Sequence, residues 1–210
     1  MIGRIALAAS VIVCLGLVAS SMVDAWRPST IQVTRRIDQW SEALASGQPM
    51  GRLPAKVTIV VLSDFQCPAC ARMRTTLATV RAKHPGDVAI VFHHYPLDTI
   101  HPQARTAAMA SECAAEQGRF EAFHDAVFQR QWELGRRGWD AFASDAALPD
   151  PRGFARCLDE RRYARRVDQD LALGRRIQIG GTPTVIINGA LYSRVPTPDE
   201  LEDIVQAALK

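Results

Sequence analysis

Apolar residues change their spacing several times along the chain, and each change marks an element. Ile5 to Val23 is a run of 19 mostly apolar residues. It is long for the core of a signal peptide and close to the ~20 residues of a membrane-spanning helix. After a polar juncture from Trp26 to Thr34, Ile37, Trp40 and Leu44 recur at helical spacing until Gly47-Gln48-Pro49. Lys56 to Leu62 is a short β-branched run, the pattern of a strand covered on both faces. Ser63 to Gln66 reads as a loop, and Pro68 sits in the first turn of the helix that follows. Cys70, Met73, Leu77 and Val80 share one face of that helix, while Arg72, Arg74 and Arg81 lie mostly elsewhere. His84-Pro85-Gly86-Asp87 stops it, and Val88 to Phe92 is a second strand.

From His101 to about Arg176 strand character disappears. Gly118, Gly135, Gly138 and Pro149-Asp150-Pro151 divide this stretch into several helices. Thr184 to Ile187 is a third strand, Asn188-Gly189 a two-residue hairpin turn, and Ala190 to Ser193 a fourth strand. Thr197 caps a last helix, with Glu200 completing a capping box. Strand, helix and strand with short joins make a parallel βαβ unit. The full order predicts an α/β, thioredoxin-like fold with a helical domain inserted after the βαβ unit, over about 101–176. Residues 1–25 read as a signal anchor or signal peptide, 26–53 as an N-terminal extension with a short helix, and 54–208 as the main domain.

Composition acts here by exclusion. Of 210 residues, 48% are apolar and 22% charged, which sets aside disorder, collagen and a polytopic membrane protein. A net charge of +3 is too weak for a nucleic-acid binder, which needs a concentrated basic face. Val23-Asp24-Ala25 resembles a small-residue cleavage site, so both a retained anchor over residues 5–23 and a signal removed after Ala25 stand as readings. A buried soluble helix fits poorly, because the run has no polar face. Either export reading places the rest of the chain outside the cytoplasm, in the periplasm or cell envelope. Removal would take Cys14 with it and leave Cys67, Cys70, Cys113 and Cys157, an even number suited to an oxidising compartment. Cys14 lacks the small residue expected just before a lipidated cysteine.

Cys67-Pro68-Ala69-Cys70 directly follows the strand and loop and opens a helix. Cys67 falls near the N-cap, where unpaired backbone N–H groups and the helix dipole favour an anion. A thiolate is such an anion, so Cys67 is expected to be acidified, nucleophilic and a good leaving group. Cys70 lies one turn inward on the apolar face, shielded but placed to attack a mixed disulfide at Cys67. A plain stabilising disulfide is the bland alternative, but so short a loop removes little unfolded-state entropy. Zinc sites usually show two close ligand pairs, whereas Cys113 and Cys157 are 44 positions apart. The pattern therefore calls for no metal and no cofactor. Far along the chain, Gly180-Gly181-Thr182-Pro183 precedes the third strand, and a proline there suits either a cis bond or an ordinary trans turn.

With these residues in place, the chain resembles the DsbA-like thiol–disulfide oxidoreductases of the thioredoxin superfamily, in their membrane-anchored or secreted bacterial branch. The matching stretches are Ser63-Asp64-Phe65-Gln66-Cys67-Pro68-Ala69-Cys70, Tyr95-Pro96-Leu97 with His101, Gln117-Gly118-Arg119-Phe120, and Gly181-Thr182-Pro183-Thr184. The resemblance spans roughly Pro54 to Ala208. It implies that Cys67 and Cys70 are the catalytic pair, with Pro68 and Ala69 as the dipeptide between them. It also implies that Pro183 is the cis proline, and that the Thr182 backbone binds an extended substrate segment by strand addition. Some family members carry a second disulfide in the insertion, which implies pairing of Cys113 with Cys157. The best-studied oxidases of the family have His where this chain has Ala69, which implies a less oxidising couple here.

The resemblance implies client proteins carrying thiols or disulfides, and a membrane redox partner that reoxidises or reduces the pair. An oxidase is the first expectation. A reductase or isomerase is the second, and a non-redox peptide-binding chaperone using the groove beside Pro183 is the third. Asp64 is placed either to shuttle protons for Cys70 or to cap the loop. His93, His94 and His101 read as structural residues of the link into the insertion rather than as a metal site. Arg161 to Arg176, which also holds Asp168 and Asp170, reads as a solvated helix face that an anchored protein could rest on anionic lipid.

Overall fold

A computed structural model describes residues 31–210. The apolar run over residues 5–23, Cys14 and the cleavage position at Ala25 lie outside the described residues. In chain order the strands are β1 (Val33–Arg36), β2 (Gln48–Met50), β3 (Val57–Ser63), β4 (Val88–His94), β5 (Thr184–Ile187) and β6 (Ala190–Tyr192). The helices are α1 (Trp40–Ser46), α2 (Pro68–Lys83), α3 (Ala104–Ala115), α4 (Phe120–Gln129), α5 (Trp139–Asp145), α6 (Pro151–Asp159), α7 (Ala164–Arg176) and α8 (Pro198–Leu209), with a 3-10 turn at Gln131–Glu133.

The β-branched run supplies the centre of a mixed sheet ordered β1-β6-β5-β3-β4-β2. β3 pairs in parallel with β4 and antiparallel with β5, and it is buried at every position. Its side chains alternate between two faces, as a strand requires. Val57, Ile59 and Val61 join Met73, Leu77 and Val80 of α2 and Leu201 and Val205 of α8 in the larger core. Val60 and Leu62 join Ile37, Ala43, Leu173 and Ile177 on the opposite face. The β3–α2–β4 unit, the insertion and the closing hairpin follow the order expected from the sequence. Asn188 and Gly189 have φ of 45° and 81°, the left-handed pair that a tight two-residue hairpin turn demands. At the start of α8 the capping box between Thr197 and Glu200 is present in full.

The segment read as an extension with one helix contributes more than that. β1 pairs with β6 and β2 with β4, so each adds an edge to the sheet, which has six strands where four were expected. Their sequences hide this. β1 is Val-Thr-Arg-Arg, mostly exposed on its edge, and β2 is three residues long with Pro49 at its middle. Proline is tolerated on an edge strand, where an N–H can go unused. The Arg-rich stretch also departs from its reading as a solvated face. α7 buries Val167, Asp170, Leu171, Leu173 and Gly174, and only its other side carries the exposed arginines. At Gly174 a β-carbon would meet the Tyr95 ring at 2.4 Å, so the helix lies against that ring at a distance only glycine permits. Among the described residues, no helix is long and apolar enough to cross a membrane.

Candidate active site

β3 ends at Ser63, and the loop Asp64–Gln66 carries the chain to the start of α2. Cys67 is the N-cap of α2 with extended backbone angles, and Pro68 occupies the first turn. The Cys67 carbonyl accepts from the N–H groups of Cys70 (3.0 Å) and Ala71 (3.3 Å), which starts the helix. Both cysteines are free thiols here. Both are buried, Cys67 at 7% exposure and Cys70 at 1%. The Thr182–Pro183 peptide bond is cis, and the Thr182 carbonyl accepts from the Cys67 thiol at 3.5 Å. Two segments 115 residues apart in sequence thus meet at one sulfur.

Burial dominates at Cys70 and pushes its thiol up to about 12, with the neighbouring Cys67 adding to the rise. The Ser63 hydroxyl and the Asp64 N–H, which reaches the sulfur at 3.5 Å, oppose it, and the Thr182 hydroxyl close by acts in the same direction. In this geometry the Thr182 hydroxyl is buried without a hydrogen-bond partner. A thiolate at Cys70 is the charge such a hydroxyl would turn to meet. The pocket is thus built to hold Cys70 protonated at rest and to give its anion some support when it forms.

Residues distant in sequence hold the Cys67 loop in place. Asp64 is buried, and its carboxylate accepts from the N–H groups of Gln66 (2.7 Å) and Leu97 (2.8 Å) and from His101 Nδ1 (2.7 Å). Its lone pairs are committed to tying the loop to the β4–α3 link, which makes it a clamp for the loop. From the insertion, Gln131 donates through Nε2 to the carbonyls of Phe65 (2.8 Å) and Cys67 (2.9 Å). Gln66 in turn accepts from the Gln103 N–H at 2.8 Å. Sequence reasoning missed Gln131 and Gln103, because a glutamine in a helical block carries no signal of the loop it will meet.

The three histidines do not converge. His93 Nδ1 lies 2.6 Å from Asp170 and its Nε2 2.7 Å from the Ala43 carbonyl. Both ring nitrogens of this buried side chain thus face oxygen atoms. Burial alone would raise Asp170, but His93 and Arg166 outweigh it and hold the carboxyl below its usual range. His94 Nε2 turns instead to Glu112 at 2.8 Å, and Gln48 Nε2 donates to the same carboxylate at 2.6 Å. Burial opposes ionisation of Glu112 as well, and His94 reverses the balance so that its value is also lowered. The His93 pair ties α1 and α7 to β4 on one face of the sheet, and the His94 pair ties β2 and α3 to β4 on the other. In the insertion, Cys113 of α3 and Cys157 of α6 are joined by a disulfide with a Cα–Cα distance of 5.9 Å.

A family model described as Thioredoxin matches residues 45–207, most of the chain. The chain belongs to the thioredoxin family. Among solved structures, it is similar to oxidised BdbD from Bacillus subtilis, with 23% identity and a TM-score of 0.70 over 79% of this chain and 94% of that one. It is also similar to the thiol–disulfide exchange protein α-DsbA2 from Wolbachia pipientis, with 17% identity and a TM-score of 0.71 over 81% and 92% of the two chains. At such identities the likeness concerns the fold, which is DsbA-like, helical insertion included. A curated relative is the Na(+)/H(+) antiporter NhaA 3 of Salinispora tropica, 36% identical over 139 residues. That match covers 66% of this chain but 21% of the antiporter, so the chain spans about a fifth of the length of the curated relatives it matches.

Proposed function

We propose that the protein is an extracytoplasmic thiol–disulfide oxidoreductase that works through Cys67 and Cys70, as an oxidase introducing disulfides into client proteins. The observation that carries this reading is the arrangement at the start of α2. One sulfur sits at the helix N-terminus against the Thr182 carbonyl, and its mate lies sealed behind it. A cleft of about 340 Å³ beside Thr182 and Pro183, also lined by Tyr192 and Val195, offers an extended client segment a place next to Cys67.

In the oxidising direction a client thiolate attacks the Cys67 sulfur of the Cys67–Cys70 disulfide. The S–S bond breaks, and Cys70 leaves as a thiolate that must be protonated. The client's second thiolate then attacks its own sulfur in the mixed disulfide, which releases Cys67 as a thiolate and the client as a disulfide. A membrane partner must afterwards take the two electrons from the reduced pair. Support for this direction comes from the DsbA-like insertion and from the apolar run over residues 5–23, which would export the domain and tether it to the inner membrane. In this reading the antiporter name carries no transport activity to the chain. The shared stretch is a fifth of those proteins, and no described helix is of spanning length.

Two observations favour reduction or isomerisation as the second reading. Ala69 supplies no hydrogen bond to a Cys67 thiolate, and burial holds Cys70 strongly protonated, which makes it a poor leaving group. The test is trapping with Cys70→Ala in the cell envelope, joined to the redox state of the wild-type pair there. Mixed disulfides through Cys67 with a mostly oxidised resting pair are expected. A mostly reduced resting pair sinks the oxidase direction, and absence of any mixed disulfide sinks the exchange chemistry itself.

A further inference from the structure

Either direction of exchange moves a proton on or off Cys70, yet Cys70 is 1% exposed. Asp64, the nearest carboxylate in sequence, is already occupied with the loop and His101. A cavity of about 30 Å³ adjoins the sulfur, enough for a water molecule. Ser63, Cys70, Arg74, His124, Asp125 and Phe128 are among the residues that line it. We propose that His124 is the proton-relay residue for the Cys70 sulfur, acting through this water-sized cavity and exchanging with solvent by way of Asp125. The inference rests on the reading of Cys70 as the buried partner in thiol exchange.

His124 is a buried imidazole set edge-on to Phe92 (5.0 Å between centroids), Phe128 (4.9 Å) and Phe65 (5.8 Å). Its Nδ1 lies 3.0 Å from Asp125 Oδ1. Asp125 also pairs with Arg74, and these two partners hold its carboxyl well below the usual range although burial opposes them. An ionised carboxylate only accepts, so Nδ1 carries the hydrogen and Nε2 carries the lone pair. Among the described residues none bonds Nε2, so the one basic atom of the ring is unclaimed, and the ring lines the same cavity as Cys70. Asp125 is partly exposed, which completes a route outward.

Burial lowers His124 from its usual value, with Asp125 opposing, so the ring is neutral near pH 7 and able to accept. The charged and titratable groups around it are Asp125 and Glu121 on α4 and Arg74, Arg81 and Cys70 on α2. His94 on β4 touches Phe65 and Phe92 as well but bonds Glu112. In the step itself, the Cys70 S–H bond breaks, its proton passes to the cavity water, and a water proton passes to Nε2. The Cys70 thiolate then attacks Cys67, and the sulfur bonded to Cys67 leaves with the electron pair. Disulfide opening runs the transfer backwards. His124 touches no reacting atom; its role is in the rate and pH profile of the Cys70 step.

The test uses the reduced full chain in detergent mixed with dithionitrobenzoate. Cys67 forms a mixed disulfide in a first, concentration-dependent phase. Cys70 then expels thionitrobenzoate in a second, intramolecular phase. For the wild type, the second phase is expected to level off above the titration of the imidazole. In His124→Phe, which keeps a ring in the cluster, it is expected to slow at least about tenfold at pH 7 and to climb with hydroxide up to the thiol's own titration. The first phase should not change. In Asp125→Asn the ring loses its supporting charge, and the limb should move to lower pH. A second phase in His124→Phe within twofold of wild type across pH 5–9 overturns the relay. If that variant does not fold, an unshifted limb in Asp125→Asn overturns it. A wild type with no second phase removes the exchange reading and the relay with it, whereas a normal wild type with unaffected variants removes the relay alone.

Discussion

The described residues hold two pairs of cysteines with opposite surroundings. Cys113 and Cys157 are each 1% exposed and bonded to one another between α3 and α6, inside the packed insertion. Cys67 and Cys70 are free thiols at a helix start, one touching a carbonyl from a distant segment and the other facing a small cavity. The insertion pair closes a separation of 44 residues and is buried, so its bond acts on the unfolded chain. The other pair closes a loop too short to matter to the unfolded chain. Its worth lies in the helix terminus, the donors and the access. The same element is structural or reactive according to what surrounds it.

Replacing Cys67 with Ser should abolish exchange, by at least about 10³-fold in client turnover, while leaving thermal stability of the reduced protein nearly unchanged. Replacing Cys113 and Cys157 together should do the reverse. The folded double variant should keep exchange within a few-fold, and denaturant unfolding should show a loss of up to about 4 kcal/mol from the chain-entropy model. If the two sets of variants gave the same pattern, the contrast would fail.

Alkaline unfolding of the reduced protein sharpens the contrast next. The neutral thiol is the protonated form, and burial lifts Cys70 from 9.0 in the unfolded chain to about 12 in the fold. Between those values the unfolded state binds fewer protons, so stability falls with rising pH. The contribution is complete below pH 9 and lost on the way to pH 12. Cys70→Ala should flatten that part of the curve, and an equally steep decline in the variant would refute the assignment.

Gln131→Ala tests the smallest effect, the hold of the insertion on the Cys67 loop. Two side-chain hydrogen bonds to the Phe65 and Cys67 carbonyls vanish, for a loss of about 1–3 kcal/mol. Alkylation of Cys67 should change with it, and unchanged alkylation together with unchanged stability would show the loop held by Asp64 alone.

Much of this was readable before the fold. β3 announced itself because a doubly covered strand must be apolar throughout, and α2 because its buried residues recur at helical spacing. Cys67 and Cys70 stood out because their spacing and the following proline are local features. β1 and β2 were invisible because edge strands are short, polar or proline-bearing and take their structure from a neighbour's hydrogen bonds. Asp170 was read as surface among arginines, yet it is buried because its partner His93 lies 77 positions away.

The amino-acid order by itself settled what repeats locally: the element types, the capped helix ends, the tight hairpin turn and the two-cysteine motif. Those depend on near neighbours in the chain, whose geometry the backbone supplies. Only the tertiary structure decided which groups surround each sulfur: the Thr182 carbonyl at Cys67, the Gln131 amide over the loop, and the His124 ring across the cavity from Cys70. Such meetings join residues tens of positions apart, and the driving force that brings them together is burial of apolar surface. That force acts without direction and writes no pattern next to the polar residues it carries along.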